Sequence, residues 1–404
     1  MSNKRFKVSI IYFVVVILTL LMRVASALDI YSALGIDDAD AFWSCMVQIV
    51  IFGVVPFVMY LLMVAGREER FLPYFPRRKK KEKKQDEQQS EQQDEIARIF
   101  EDQDLAPVVQ EQDFQTVGFE TEFATQEEAS EATPADLIST EQKPESKAAK
   151  FGKKLKALFK DFGFKRVSFS DSLRTIVLAV CMVIIGTGVS VVWQTVLSLI
   201  GYTRVSSHTD YDNLVILFKE LALVAVLPGL FEEFSHRGLL YAGYKETGWK
   251  FVLISSMFFS LMHQNIVQTG YTFVDGVAMA LVMYYTGSIW PGMFMHFFNN
   301  FWSVLLGYVE QNGGALAFIN TIYDWLFSTV LGLLVGILAV LVAIALAVIM
   351  LVFMRRAAVK KGRIDSKPFK NTMAYPVLAE LMFWLTIAVG VAATAFSFVW
   401  GMIR

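Results

Sequence analysis

Residues 325–354 read WLFSTVLGLLVGILAVLVAIALAVIMLVFM, thirty residues without a single charged side chain. A helix that crosses the hydrocarbon core of a bilayer needs about 20 apolar residues, so this stretch is long enough to span a membrane. The chain has 404 residues, 55% of them hydrophobic, and its mean hydropathy is +0.46. Soluble domains contain about 45–50% apolar residues. The composition therefore excludes an ordinary soluble protein, and only two cysteines are present to form a disulfide framework.

Eight further segments are also apolar over roughly the length that a spanning helix needs. With 325–354 they predict an all-α fold, a polytopic transmembrane helical bundle of about nine spans. The segment nearest the N-terminus, 8–28, is interpreted as a retained anchor and not as a signal peptide, because its apolar region is long and a second span follows it. The other eight segments are 8–28, 43–65, 173–201, 214–244, 250–265, 272–288, 290–308 and 375–402.

Basic residues predict the orientation of these spans, because cytoplasmic loops carry an excess of Lys and Arg. Three basic residues precede the first span, and basic runs occupy 77–81 and 355–370, whereas the loop 29–40 carries four aspartates. The sequence therefore predicts a multi-pass protein of the cell membrane, with its N-terminus in the cytoplasm and its C-terminus outside. The basic inner surface and the absence of a targeting peptide indicate a bacterial plasma membrane.

A long charged insert divides the membrane region. Residues 1–65 form a two-span hairpin, residues 66–170 a cytoplasmic linker, and residues 171–404 a multi-span region. Between Asp86 and Glu145 there are 18 acidic residues and only two basic ones. Such a segment buries too little apolar surface to offset the entropy lost on ordering, so it is predicted to be disordered.

The end of this linker has a different pattern. Residues 151–169 place five apolar side chains on one helical face and lysines over much of the rest. This pattern predicts a basic amphipathic helix that lies on the anionic lipids of the inner leaflet. A solvated charged helix is the alternative.

Ionisable side chains inside the apolar spans are few, because each costs about 2.5–3.5 kcal/mol there, and a cluster of polar side chains lies in three of the segments. The fourth span carries two carboxylates, an imidazole and a guanidinium. The fifth ends in a histidine, and the seventh carries a histidine and an asparagine. These residues are Glu232, Glu233, His236, Arg237, His263, His296 and Asn300.

Spacing assigns these residues to faces and depths. Glu233 and Arg237 are four residues apart, so they can pair along one helix. Glu232 points about 100° away from that pair. Glu232 lies 13 residues before Lys245, and His263 lies 13 residues after Lys250, on either side of the polar turn 246–249, which places both about 20 Å from it. They should therefore face each other at the same depth.

His296 fits this scheme only under one condition. It lies five residues past Pro291, which is about 8 Å of helix. To meet the other two groups, the preceding turn 286–290 must be recessed in a cavity.

The chemistry of the set indicates a hydrolase. A carboxylate and a neutral imidazole beside one water form a general base, and Glu232 and His263 supply them. His296 and Asn300 can donate hydrogen bonds from one face to the oxyanion of an acyl-transfer intermediate. Together these roles predict hydrolysis of an amide without a covalent enzyme intermediate.

A metal mechanism stays open on the sequence alone. Glu232, His263 and His296 are residue types that bind zinc, so a zinc site formed by these three is chemically possible. The chain contains neither a His-Glu-x-x-His pattern nor a Gly-x-Ser-x-Gly elbow.

Three motifs carry a family resemblance. Residues 232–240 read EEFSHRGLL and contain Glu-Glu-x-x-x-Arg, Phe259–His263 gives Phe-x-x-x-His, and His296–Asn300 gives His-x-x-x-Asn. In this order and spacing they resemble the CPBP family, the CAAX prenyl protease 2-like intramembrane proteases, which are also called Abi or lysostaphin-resistance-protein-A-like. The resemblance covers about 212–308.

The resemblance implies a helical bundle with a conical cavity that opens to the cytoplasm. It implies the division of roles given above, with the Glu-Arg pair supporting the site. It favours a metal-independent glutamate mechanism that requires no cofactor, although older descriptions of the family speak of metalloproteases. His236 stands where the family usually has an apolar residue, and it is close enough along the helix to bond to Glu232.

The sequence therefore predicts an intramembrane endopeptidase that acts on membrane-embedded peptides or proteins. Two alternatives are a non-catalytic membrane scaffold, such as a bacteriocin-immunity-type protein with the same fold, and a proton-coupled transporter. A transporter would need an internal repeat between halves, which is not evident. Nothing in the composition points to nucleic acid as a partner.

Overall fold

The computed structural model of the protein describes residues 3–28, 30, 38–66, 146–203, 209–366 and 381–403. Every regular element within these ranges is helical and none is a strand, which confirms the all-α class. The predicted disordered stretch from Asp86 to Glu145 lies outside the described residues.

The described ranges contain eleven main helices, and eight of the nine predicted segments each overlap one of them. The ninth, 325–354, is divided between two helices that meet at Thr329. Helices α2 and α5 are continuous but change from α- to π-geometry along their length. The bounds are α1 Asn3–Ala27; α2 Ala39–Cys45, Met46–Val54 and Val55–Met63; α3 Lys147–Asp161; α4 Phe169–Leu199; α5 Leu214–Glu220, Leu221–Val226, Leu227–Glu233, Phe234–Leu239 and Leu240–Tyr244; α6 Lys250–Met262; α7 Ile266–Thr286; α8 Trp290–Asn312; α9 Phe318–Ser328; α10 Val330–Lys360; and α11 Leu381–Met402.

Seven of these helices are long and apolar enough to cross a membrane: α1, α2, α4, α5, α7, α10 and α11. The predicted number of nine was therefore approximate. Helix α6 is shorter than a bilayer needs, with 13 residues. Helix α8 has 23 residues, but its histidine and asparagines lower its hydropathy.

Helix α3 joins the core through part of its apolar face. It covers Lys147–Asp161, so it begins and ends earlier than the predicted range 151–169. Leu158 and Phe162 are completely buried, whereas Phe151 and Phe159 are 55% and 41% exposed. The ring of Phe162 packs edge-on against that of Tyr60 of α2. Two apolar side chains thus remain available outside the core.

The chain after α3 covers the turn that precedes α8. Gly163 has a φ of +76°, a conformation that glycine adopts without strain, and its carbonyl accepts a hydrogen bond of 3.0 Å from the amide of Ile289. The hydroxyl of Ser288 donates to the carbonyl of Lys165 at 2.7 Å. Residues 286–289 are buried. The turn is therefore recessed, as the position of His296 requires.

Two of the three π-helical segments lie where polar side chains enter the bundle, and the third, Leu221–Val226, is apolar. Met46–Val54 carries Gln48, and Phe234–Leu239 carries His236 and Arg237. Segments of this kind are rare and are found mostly at functional sites. Pro228 lies at the start of the α-helical segment Leu227–Glu233.

A small residue sets the distance between α6 and α7. A Cβ atom at Gly276 would lie 3.0 Å from the Cα of Ser256, so the two backbones approach as closely as small residues allow in membrane helices. By contrast, a Cβ atom at Gly152 on α3 would meet nothing within 4 Å.

We expect Gly276→Ala to lower the free energy of unfolding by about 1–3 kcal/mol, because the extra methyl group forces α6 and α7 apart. Gly152→Ala is the matched control, and it should be neutral or stabilise by up to about 1 kcal/mol, because alanine favours an exposed helix. Unfolding of the purified full-length protein in detergent measures both. Equal effects of the two substitutions would contradict the packing described here.

Candidate active site

The four predicted catalytic side chains line one cavity inside the bundle. Its volume is about 440 Å³, and Glu232, His263, His296 and Asn300 are all on its wall. They come from α5, from the end of α6 and from α8. The structure therefore brings together groups that are separated by up to 68 residues along the chain.

The supporting pair is formed and fully buried. Arg237 Nη1 donates to Glu233 Oε1 at 2.6 Å, and both side chains have no exposed surface. The same Glu233 oxygen lies 3.0 Å from His296 Nδ1, so the carboxylate joins α5 to α8. A Cβ atom at Gly292 would lie 2.7 Å from Glu233 Oε2, which means that glycine leaves the room that this carboxylate occupies.

Arg237 also fixes α6 and α7. Its Nη2 donates to the carbonyl oxygen of Gly276 at 3.3 Å. The guanidinium carbon lies 4.3 Å from the centroid of the Phe259 ring, a cation–π distance. One side chain of α5 thus contacts both α6 and α7.

Glu232 is the accessible carboxylate of the site, with 12% of its side chain exposed. Gln48 Nε2 of α2 donates to its Oε1 at 2.7 Å. Its Oε2 lies 4.0 Å from His296 Nε2. One oxygen is therefore held by an amide, and the other faces the cavity beside an imidazole.

His263 is oriented by its own helix. Its Nδ1 lies 2.8 Å from the carbonyl oxygen of Phe259, and because a carbonyl only accepts, Nδ1 carries the hydrogen. In the neutral ring Nε2 then has the free lone pair, which is what a general base requires. Arg23 Nη2 of α1 donates to the carbonyl of His263 at 2.7 Å and holds the end of α6.

His296 and Asn300 each use one donor for structure. His296 Nδ1 faces the carboxylate of Glu233, so Nδ1 is the donor of that bond and Nε2 donates only when the ring is doubly protonated. Asn300 Nδ2 donates to the carbonyl of Val224 at 2.8 Å, which leaves its second amide hydrogen. Each residue therefore has one further donor position.

His236 does not reach Glu232. Its Nδ1 lies 2.8 Å from the hydroxyl of Tyr12 in α1, and the ring is fully buried among Tyr12, Phe52 and Phe259. Among the described residues, its Nε2 has no hydrogen-bond partner. The structure thus gives this unusual histidine a partner that the sequence did not indicate.

Sequence reasoning missed two groups on the cavity wall, Gln48 and Asp275. Asp275 is 6% exposed, its Oδ2 lies 3.5 Å from Asn299 Nδ2, and its Oδ1 has no partner in the described part of the chain. A charge inside the apolar segment 272–288 was the available signal, by the same rule that selected the glutamates. For Gln48 there was no comparable signal, because a single amide in an apolar span is common.

The zinc arrangement considered for Glu232, His263 and His296 is not assembled. Over the residues that the structure describes, no three His, Cys, Asp or Glu side chains are placed to hold a metal ion. His296 directs Nδ1 to Glu233, and its Nε2 is the nitrogen that faces Glu232. We therefore derive no step through a metal.

Comparison with known proteins gives one match. The family model described as Rce1-like, type II CAAX prenyl endopeptidase, matches residues 215–302. No curated protein and no solved structure matches the chain. The matched range contains all three motifs and the four cavity residues named above. The resemblance to the CAAX prenyl protease family is therefore confirmed over this range, which matches the model of the Rce1-like type II CAAX prenyl endopeptidases.

Proposed function

We propose that the protein is an intramembrane endopeptidase that hydrolyses peptide bonds of membrane-associated peptides or proteins, with a Glu/His-activated water and without a required cofactor. Protease activity in general follows from the family. The observation that carries the finer proposal is the convergence of Glu232, His263, His296 and Asn300 on one cavity within a bundle of apolar helices.

In this proposal, Glu232 and His263 activate the water. Gln48 holds Oε1 of Glu232, so Oε2 is the oxygen that takes the proton. His263 presents its unprotonated Nε2 and assists as a second acceptor. The proton taken from water then passes to the leaving nitrogen, as in general acid–base catalysis.

His296 and Asn300 stabilise the oxyanion. A doubly protonated His296 donates from Nε2 while Glu233 accepts from Nδ1, so Glu233 and Arg237 have the role of positioning residues. Asn300 adds its second amide hydrogen. Donors fixed in advance in a site that excludes water stabilise developing charge without reorganisation.

We also propose that the N-terminus and α3 lie on the cytoplasmic side of a bacterial plasma membrane and that the C-terminus lies outside. The exposed Phe151 and Phe159, together with the lysines of α3, suit contact with anionic lipids of the inner leaflet.

Glu232→Gln should lower peptide-bond cleavage by about 10²–10⁴-fold, the usual contribution of a general base. The readout is mass spectrometry of protein termini in membranes from cells that make the full-length wild type or the variant. Protein termini that appear with the wild type and not with Glu232→Gln identify substrates. Glu246→Gln is the matched control, because Glu246 is an exposed glutamate in the turn that follows the same helix. An identical set of termini for all three proteins would favour the non-catalytic scaffold.

Gln48→Met should lower kcat by about 10–100-fold with little change in KM, because a hydrogen bond to a charged group contributes about 1.5–3 kcal/mol. The rate is measured on a substrate identified by the preceding experiment. In a Glu232→Gln background the same substitution should change nothing further, since Gln48 acts through that carboxylate. Additive effects of the two substitutions would contradict this role.

Arg237→Met should lower the free energy of unfolding by about 3–5 kcal/mol, because it leaves the Glu233 carboxylate buried without its partner. Adding Glu233→Gln should restore part of the loss. Lys219→Met is the control, since Lys219 pairs with Asp38 and the two side chains are 39% and 52% exposed, so its loss should cost about 0–1 kcal/mol. Unfolding in detergent measures all three variants, and equal losses for Arg237→Met and Lys219→Met would contradict the account.

A further inference from the structure

A second and larger cavity adjoins the active-site cavity. Its volume is about 1120 Å³. Five residues line both cavities, so a ligand that occupies one can extend into the other: Gln268, Tyr271, Asn299, Asn300 and Ser303.

The larger cavity lies at the end of the bundle away from α3. Lys4, near the start of α1, pairs with Asp161 at the end of α3 at 3.0 Å. Ala27, the last residue of α1, lines the cavity, as does Gly401 near the end of α11. The cavity therefore continues from the catalytic groups toward the opposite end of α1.

Gln264 is the unusual residue of this cavity. It directly follows His263, and it is among the residues that line the cavity although it is only 1% exposed. Both polar atoms of its carboxamide, Oε1 and Nε2, lack a hydrogen-bond partner among the described residues. In a buried position an unpaired amide is costly.

The backbone of Gln264 is also strained. Its φ is +48°, and it is the one residue other than glycine with a positive φ in the described ranges. This conformation is uncommon for a residue with a side chain of that size. Strain of this type persists where the surroundings enforce it and is concentrated at functional sites. Here Arg23 holds the carbonyl of the preceding His263.

We propose that the larger cavity binds the substrate as an extended peptide strand and that the carboxamide of Gln264 recognises its backbone. This inference rests on the proposed peptidase function and specifies the form in which the substrate enters. A carboxamide has a donor and an acceptor side by side, which is the complement of one peptide unit. An extended strand offers such units free, whereas a helix has already paired them internally.

The other walls suit the side chains of such a strand. Val183, Val191, Leu306 and Phe396 provide apolar surface, and the volume exceeds the ~300–1,000 Å³ of pockets that hold a small ligand. A lipid tail would also fit this surface, but it has no hydrogen-bonding group for Gln264.

Peptide binding to the catalytically inactive full-length Glu232→Gln protein in lipid nanodiscs tests the proposal. The probes are a library of synthetic apolar octapeptides and the same library with its central backbone nitrogens methylated, which removes the N–H donors. Mass spectrometry measures the bound peptide. We expect at least tenfold more binding of the unmethylated library.

Two substitutions of Gln264 in the same background identify the residue responsible. Gln264→Gly should reduce binding of the unmethylated library to the level of the methylated one. Its unfolding temperature should be equal or higher, because glycine adopts this φ without strain. Gln264→Asn keeps a carboxamide and tolerates the left-handed conformation, so it should retain part of the preference.

Equal binding of the two libraries, a preference that survives in Gln264→Gly, or a lower unfolding temperature of that variant would each overturn the proposal. Displacement of the peptides by palmitate with no effect of the Gln264 substitutions would assign the cavity to a lipid tail. Binding as expected, with no Glu232-dependent cleavage by the wild type, would leave the peptide site standing and refute the peptidase function. Glu232-dependent cleavage by the wild type, without a preference for the unmethylated library, would leave the peptidase function standing and refute the peptide site.

Discussion

A carboxylate and a guanidinium that are both shut off from solvent impose the main constraint on this protein. The apolar interior of a membrane offers no water to Glu233 and Arg237, so protein groups must complete every bond that they need. His296 and the carbonyl of Gly276 supply part of these bonds, and the ring of Phe259 covers the guanidinium, whereas Glu233 Oε2 and Arg237 Nε have no hydrogen-bond partner among the described residues. Because these partners come from three other helices, satisfying the pair also fixes the relative positions of the catalytic groups.

Local sequence spacing predicted much of this arrangement. The four-residue separation of Glu233 and Arg237 predicted their pairing, and the apolar runs predicted the helices. The requirement for a recessed turn before His296 also holds, but its cause was not visible in the sequence. That cause is the close approach of the chain around Gly163, which lies more than a hundred residues earlier and depends on how α3 packs.

What the sequence did not predict is non-local. The partners of Glu232, His236 and the His263 carbonyl are Gln48, Tyr12 and Arg23 of the N-terminal hairpin. Pairing between distant spans depends on the register of one helix against another, and apolar periodicity does not set that register. The predicted count of about nine spans was approximate for a related reason, because α8 loses hydropathy through the residues that give it a role in the site, and α6 is shorter than a spanning helix.

The contribution of the hairpin has a consequence for dissecting the protein. The range 215–302, which carries the family's motifs, is not a self-sufficient module, since three of its buried polar groups find their partners in α1 and α2. Expressed alone, it would expose those groups to lipid without compensation. Residues 1–66 supplied as a separate polypeptide would provide those partners. This N-terminal fragment and the rest of the chain should therefore behave as complementing fragments whose association restores the site.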